Sequence, residues 1–206
     1  MQGIYRIAMK IKVCGMKYAD NIREVAKLSP DFMGFIFYSK SKRYVGEDFI
    51  IPEIHSSVKK VGVFVNDSIE NIVKKVRTYK LDYVQLHGNE SPEFCKSVRH
   101  TTEIVKAFGI DEQFDFSLLN QYENTCEYFL FDTRTNEYGG SGKKFDWKIL
   151  ERYNGKTPYF LSGGIDSAET GNTKPFAIDV NSKFETEPGV KDIAKLKKLK
   201  NELSCK

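Results

Sequence analysis

The chain lacks the patterns that mark several protein classes. No stretch of its 206 residues approaches the ~18 consecutive apolar residues of a membrane span, so we expect no membrane partner. The four cysteines form no CxxC pair and the three histidines have no metal-ligand spacing, which argues against a metal site. The first residues lack the apolar core and the small-residue cleavage site of a secretory signal. We therefore expect a reduced, cytoplasmic protein.

The chain also has only a small excess of charge of one sign. The formal net charge is only +4, and the basic residues are interspersed with acidic ones. A mildly basic surface can favour anionic substrates, but mixed charge of this kind is typical of an ordinary solvated surface. Nucleic-acid binding is not indicated.

The sequence is rich in short apolar segments with the length of a β-strand. Eight runs rich in Val, Ile and Phe alternate with segments of helical periodicity, a pattern typical of a parallel sheet covered on both faces. Eight such runs without an obvious edge strand favour a single-domain α/β fold, the (β/α)8 TIM barrel, over an open doubly wound sheet. The predicted strands are 11–15, 32–38, 61–66, 82–88, 103–110, 128–133, 158–164 and 176–182.

The chain length fits one compact barrel with little room for anything else. Barrels of this type run from about 200 residues upward, and 206 residues with 40% apolar composition can bury one core. We assign residues 10–206 to the barrel and residues 1–9 to an N-terminal extension, with Met9 as an alternative start.

Helices of unequal strength are predicted between the strands. A short helix is expected over 49–57, with Pro52 near its start, and a weak one over 116–122. The segment 165–175 is too short and too polar for a full seventh helix, which is therefore a single turn or missing. Stronger patterns predict helices over 20–28, 68–79, 91–99, 145–153 and 191–203.

Two strands end in proton-handling side chains, Cys14 in IKVCG and Asp132 in YFLFDT. The carboxyl ends of barrel strands form one rim, so these residues are expected to meet at one pocket as a base and an acid. A lone cysteine on an apolar strand is more often a packing residue. The glycine that follows Cys14 and its place at a strand end favour the functional interpretation.

Side-chain alternation predicts which residues share the barrel interior. Residues two apart on a strand face the same way, so Lys12 points inward if Cys14 does. The first and eighth strands are neighbours in a closed barrel, and an unpaired buried lysine is costly. We therefore predict that Lys12 pairs with Asp179.

Loops on the same rim carry groups suited to an anionic ligand. LSGG after the seventh strand and DVNS after the eighth place backbone N–H donors and small polar groups where this fold usually binds phosphate. Arg43 in the loop 39–48 has the planar fork that suits a carboxylate. The Gly-rich loop 134–144 is predicted to be a lid or a plain surface loop. His87 and Glu90 are interpreted as loop-structuring residues.

Taken together and in order, KVCGM, FYSKSKRYV, DYVQLHGNE, LFDT, LSGG and DVNSKFETEPGVKD closely resemble the phosphoribosylanthranilate isomerase family of tryptophan biosynthesis. The resemblance runs from about Lys10 to the last helix. It implies a cofactor-free (β/α)8 barrel that converts N-(5-phosphoribosyl)anthranilate into 1-(2-carboxyphenylamino)-1-deoxyribulose 5-phosphate by an Amadori rearrangement. A phosphorylated small molecule is the expected partner, with the protein as a monomer or homodimer.

The same resemblance implies roles for particular residues. Asp132 would be the general acid that opens the furanose ring, and Cys14 the general base that removes the C2 proton. Arg43 would hold the anthranilate carboxylate. The phosphate would lie on Gly163, Gly164, Asn181 and Ser182.

A departure from the family's sequence at the end of the eighth strand, besides the short segment 165–175 described above, and two alternatives stay open at this point. The family often reads DVSSGVE where this chain has Asn181 and Lys183, which leaves the individual phosphate contacts undetermined. A histidine-pathway sugar-phosphate isomerase of the same fold is expected to have aspartate in place of Cys14. A non-catalytic barrel that binds a phosphorylated ligand is the alternative from another class, and it predicts binding without turnover.

Overall fold

Eight parallel strands form a closed barrel in the computed structural model, which describes residues 9–134 and 145–204. The strands follow one another around the ring in chain order, and β8 closes it by pairing with β1. The (β/α)8 prediction is confirmed, and the open sheet is excluded. The strands are β1 (Lys10–Cys14), β2 (Phe32–Ile36), β3 (Lys59–Phe64), β4 (Tyr83–Leu86), β5 (Glu103–Ile110), β6 (Tyr128–Thr133), β7 (Tyr159–Leu161) and β8 (Ala177–Val180).

Within residues 9–134 and 145–204, four α-helices pack around the barrel, and a small hairpin follows β8. Ser68 and Ser91 start two of the helices by accepting a hydrogen bond from the N–H three residues on. No helix in the described ranges is long and apolar enough to cross a membrane. The helices are α1 (Ala19–Lys27), α2 (Ile69–Tyr79), α3 (Pro92–Arg99) and α4 (Ile193–Ser204), and the hairpin strands are β9 (Glu185–Glu187) and β10 (Val190–Lys191).

The helix expected over 49–57 is absent, and that prediction was wrong. Residues 37–58, all of them described, run from β2 to β3 without a helix. Proline disfavours helical backbone in the residue before it, here Ile51, and Ile50 is also β-branched. The periodic apolar residues in this segment instead cover the outer face of the barrel as extended chain, with Phe49, Ile51 and Ile54 packed against the core.

Two of the remaining predicted helices are tighter than expected. The segments Phe116–Tyr122 and Trp147–Arg152 are 3₁₀ helices, and Asp115 and Asp146 cap them by accepting the N–H only two residues on. That shorter reach favours a tight turn over an α-helical start. Residues 162–176, which are all described, contain no helix, so the seventh helix is missing rather than a single turn.

The barrel interior is divided into an apolar end and a polar end. At the amino ends of the strands, an aromatic cluster fills the interior, and its rings come from β2, β4, β6, β7 and the residue before β8. The cluster consists of Phe32, Tyr83, Tyr128, Phe160 and Phe176. Further along the strands the inward positions become Lys12, Gln85 and Asp179, all buried. The pocket therefore lies at the carboxyl end.

Candidate active site

A pocket at the carboxyl ends of the strands brings together all but one of the site residues predicted from the sequence; the exception is Arg43. Cys14 at the end of β1 and Asp132 near the end of β6 both line it. Gly163, Gly164, Asn181 and Ser182 line the same pocket from the loops after β7 and β8. The prediction that a thiol and a carboxyl group share one cavity is confirmed.

Cys14 fits the barrel because its neighbours have no side chains in its way. Gly34 lies opposite it on β2, and a Cβ at that position would be only 2.7 Å from the Cys14 Sγ. Gly15 turns the chain away with a φ of +77°, which glycine adopts without strain. The thiol is thus held in the pocket wall, where burial has the largest effect on its pKa.

Burial raises the pKa of the Cys14 thiol above its ordinary value. The Lys12 ammonium acts in the opposite direction, Asp179 adds to the increase, and Lys191 opposes it. The net direction is upward. The resting side chain at neutral pH is therefore mainly the thiol, with two buried cations nearby that stabilise the thiolate when it forms.

Lys12 is fully buried and pairs with Asp179 as the strand register predicted. Its Nζ lies 2.8 Å from Asp179 Oδ1 and 2.7 Å from Gln85 Oε1. Burial opposes the charge on Lys12, but the attraction of Asp179 and of Cys14 outweighs it, so its pKa is raised. The side chain is an ammonium directly below the thiol.

Asp132 is held by contacts from three directions. Its Oδ1 accepts the Thr133 N–H at 2.8 Å, and its Oδ2 lies 3.5 Å from His87 Nε2. Gly163 passes close by with a φ of +84°, and a Cβ there would meet Thr133 Oγ1 at 2.3 Å and Asp132 Oδ1 at 3.0 Å. Only glycine allows the β7 loop to approach the carboxyl group this closely.

The loops after β7 and β8 line one edge of the pocket with glycines and small polar side chains. Gly163 and Gly164 both have positive φ, a backbone form that can direct successive N–H groups to one side. Asn181 Oδ1 accepts from the Lys191 ammonium at 2.7 Å, so the Asn181 amide nitrogen keeps its two donors for other partners. Lys183 is exposed and also lines the pocket.

Arg43 does not line the pocket directly but is held beside it by an acidic residue. Its Nε and Nη2 donate to both carboxylate oxygens of Glu185 on the β9–β10 hairpin, at 2.6–3.0 Å. Lys191 Nζ shares the same carboxylate at 2.6 Å. Burial works against the Glu185 charge, but Arg43 and Lys191 outweigh it and lower the pKa of that carboxyl group.

The sequence interpretation missed Gln85 and gave His87 no partner in the site. Gln85 and His87 are inward neighbours on β4 and its continuation, and both line the pocket. The alternation that paired Lys12 with Cys14 applies equally to QLH, so the signal was present. Glu90 is a loop-structuring residue as predicted, since it accepts the N–H groups of Asn66 and Gly88. His87, which the sequence placed on the rim without a partner, has two in the structure, Gln85 at 2.7 Å and Asp132 at 3.5 Å.

The loop that the sequence predicts to be a lid cannot be placed beside the pocket, and the described residues hold no metal cluster. Residues 135–144 of the lid loop lie outside the described residues. In the described part of the chain, no cluster of three or more His, Cys, Asp or Glu side chains could hold a metal ion.

A barrel whose pocket gathers a carboxyl group, a thiol and glycine-rich loops at the carboxyl ends of its strands is typical of the (β/α)8 enzymes. The family model described as N-(5'phosphoribosyl)anthranilate (PRA) isomerase matches residues 11–202. The chain belongs to this family.

Individual relatives agree with the family match. The N-(5'-phosphoribosyl)anthranilate isomerase of Parabacteroides distasonis is 50% identical over 200 residues, which cover 92% of this chain and 90% of the relative. The crystal structure of the Thermotoga maritima enzyme aligns with a TM-score of 0.79 and 32% identity, covering 96% and 100% of the two chains. Another solved isomerase, in complex with reduced 1-(o-carboxyphenylamino)-1-deoxyribulose 5-phosphate, aligns with a TM-score of 0.74 and 29% identity over 96% and 100%.

Proposed function

We propose that this protein isomerises N-(5'-phosphoribosyl)anthranilate in tryptophan biosynthesis, with Asp132 as general acid and Cys14 as general base. The observation that carries the residue assignment is the placement of these two side chains, 118 positions apart in sequence, on one pocket at the carboxyl ends of β1 and β6. Family membership supports the reaction.

The acid step opens the sugar ring. Asp132 in its acid form donates a proton to the furanose ring oxygen, the C1–O bond breaks, and the nitrogen lone pair forms an iminium at C1. The carboxylate that remains keeps the Thr133 N–H at 2.8 Å and the nearby His87 ring as polar neighbours. These groups are in place before the charge develops, which is how preorganised donors assist a reaction.

The base step follows on the other side of the pocket. The Cys14 thiolate takes the proton from C2, and the electron pair moves to form the enolamine, which tautomerises to the ketone. Because burial raises the Cys14 pKa, only a minor fraction of the resting enzyme carries the thiolate. Lys12 and Lys191 favour the thiolate. At the end of a turnover Asp132 is a carboxylate and Cys14 is a thiol, and proton exchange with water restores the starting forms.

The substrate's two anionic groups have candidate partners at the pocket edge. We assign the phosphate to Gly163, Gly164, Asn181 and Ser182, because they present backbone and amide donors from two adjacent loops. We assign the anthranilate carboxylate to Arg43. Glu185 occupies its Nε and Nη2, so the carboxylate meets the Nη1 donors or competes with Glu185 for the fork.

The cellular setting is proposed from the sequence and the family. We expect the protein to act in the cytoplasm on a phosphorylated small molecule, as a monomer or a homodimer. One solved relative, from Thermotoga maritima, is a dimeric enzyme of which monomers have been generated.

The test is to generate phosphoribosylanthranilate in situ and to follow the decay of its fluorescence with the purified protein. We expect rapid decay that depends on protein concentration. Binding of the substrate without decay would support the non-catalytic alternative, and turnover of the histidine-pathway aminoaldose in its place would support the other isomerase.

A further inference from the structure

A chain of polar contacts crosses the barrel from the thiol side of the pocket to the acid side. It begins with Asp179 on Lys12 at 2.8 Å and continues from Lys12 to Gln85 at 2.7 Å. Gln85 Nε2 then lies 2.7 Å from His87 Nδ1, and His87 Nε2 faces Asp132 Oδ2 at 3.5 Å. These four contacts join five side chains, and four of the five residues lie on strands, namely β1, β4, β6 and β8.

The Lys12 end of this chain fixes the orientation of the Gln85 amide. A lysine ammonium has three donors and no acceptor, so the amide atom 2.7 Å from Nζ must be the oxygen. Lys12 is fully buried beside Asp179, and its raised pKa keeps it an ammonium. The Gln85 NH2 group therefore points to the opposite side, toward His87.

The Gln85 amide in turn fixes the position of the His87 proton. Nε2 of Gln85 is a donor only, and at 2.7 Å the imidazole Nδ1 must be the acceptor of this bond. A proton on Nδ1 would place two N–H groups against each other. The ring proton is therefore on Nε2, the atom that faces the Asp132 carboxyl group.

We propose that Gln85 is a positioning residue that fixes His87 as the Nε2–H tautomer and so keeps a donor directed at Asp132. In this tautomer Nε2 has no lone pair to accept the proton of Asp132. The acid's proton therefore goes to the substrate rather than to the imidazole, and the Nε2–H meets the carboxylate that forms. The catalytic consequence rests on the proposed function, whereas the tautomer does not.

Nuclear magnetic resonance of the imidazole nitrogens tests the tautomer without any substrate. Two-bond ¹H–¹⁵N spectra of the ¹⁵N-labelled full chain distinguish a protonated ring nitrogen from an unprotonated one. The chain has only three histidines, and His55 and His100 are exposed, so His55→Gln and His100→Gln assign the spectrum. We expect His87 to show an unprotonated Nδ1 and a protonated Nε2. A protonated Nδ1 in the wild type overturns the proposal.

Gln85→Glu is the sharpest variant because it keeps the shape and removes the donor. One oxygen of the new carboxylate accepts from Lys12, and the other faces Nδ1, which must then carry a proton. We expect the Nδ1 signal to change to the protonated form in Gln85→Glu. An Nδ1 that stays unprotonated in a folded Gln85→Glu protein overturns the proposal.

Gln85→Met tests the catalytic consequence, with Gln121→Met on the exposed Phe116–Tyr122 segment as the matched control. We expect kcat to fall roughly ten- to a hundred-fold in Gln85→Met, since misplacing a group in an active site has effects of this size, with KM little changed. The control is expected to keep wild-type values. An unchanged kcat in folded Gln85→Met overturns the positioning role, while inactivity of the wild type contradicts the proposed function and leaves the tautomer result standing.

Discussion

The two ends of the barrel interior use the same strands for different purposes. At the amino end, five aromatic rings pack with centroids 4.6–6.5 Å apart, together with aliphatic side chains. At the carboxyl end, Lys12, Gln85 and Asp179 are just as deeply buried but are hydrogen-bonded to one another. The amino end stabilises the fold by excluding water, and the carboxyl end positions reactive groups. Substitutions at the two ends should therefore have separable effects on stability and on rate.

The largest expected effect is on rate, at the carboxyl end. Cys14→Ala and Asp132→Asn should each lower kcat by about 10²–10⁴-fold, the usual contribution of a positioned acid or base. The melting temperature should change little, because neither substitution opens a large cavity. Fluorescence decay of phosphoribosylanthranilate measures the rate, and circular dichroism measures the fold. Near-wild-type turnover in either folded variant would contradict the role assigned to that residue.

The matching experiment at the amino end should reverse the pattern. Phe160 is fully buried and contacts Phe32 and Tyr128 with centroids 5.0 and 5.1 Å away. Phe160→Ala should lower the free energy of unfolding by about 3–5 kcal/mol through lost burial and a new cavity. Denaturant titration measures that loss, and kcat per folded molecule should stay within a few fold. A rate loss as large as that of Cys14→Ala would break the separation of the two ends.

Gly34 and Gly62 sharpen the comparison within neighbouring strands. A Cβ on Gly34 meets the Cys14 Sγ at 2.7 Å, whereas one on Gly62 meets the Leu81 side chain at 2.5 Å, on the outer face of β3. Both alanine variants should lose about 1–3 kcal/mol of stability through overpacking. Only Gly34→Ala should also lower kcat, by roughly tenfold or more, because it displaces the thiol. Equal kcat losses in the two folded variants would show that the thiol is not the sensitive group.

Side-chain alternation explains how much of this site the sequence could predict. The period of two placed Lys12 and Cys14 on one face, and the closure of the barrel then paired Lys12 with Asp179, which the structure confirms. The same rule applied to β4 would have placed Gln85 and His87 in the pocket. That omission was one of interpretation, since the pattern itself was clear.

Other features had no local signal. The fork between Arg43 and Glu185 joins residues 142 positions apart and depends on where the β9–β10 hairpin folds back, which no periodicity encodes. The 49–57 segment carried apolar spacing that suggested a helix, but the local backbone preferences around Pro52 and packing on the barrel decided otherwise. Tertiary position overrode the pattern in both cases.

The pH dependence of thiol reactivity probes the polar end directly. Burial raises the pKa of Cys14, so the thiolate forms at higher pH in the folded protein than in an unfolded chain. The pKa of an unperturbed cysteine is about 8.5. Alkylation of Cys14 by iodoacetamide, followed by peptide mass spectrometry, should show a midpoint above that of the same residue in denaturant. The acid limb of kcat/KM should rise over the same range. A folded-state midpoint below the unfolded one would contradict the electrostatic description of the site.

The smallest expected effect concerns Lys183. The side chain is exposed at the pocket edge beside Ser182, so its attraction for an anion is screened by solvent and contributes about 0.2–1 kcal/mol at most. Lys183→Ala should therefore raise KM by no more than about fivefold at low salt and leave kcat unchanged.

Lys197→Ala, on the exposed face of α4 and outside the pocket lining, is the matched control for loss of one positive charge. Since salt screens exposed charges, the KM difference between Lys183→Ala and wild type should shrink at 1 M salt, where the Debye length is about 3 Å. A difference that survives high salt would mean that Lys183 bonds the phosphate directly, and the polar end would then extend to the outer edge of the pocket.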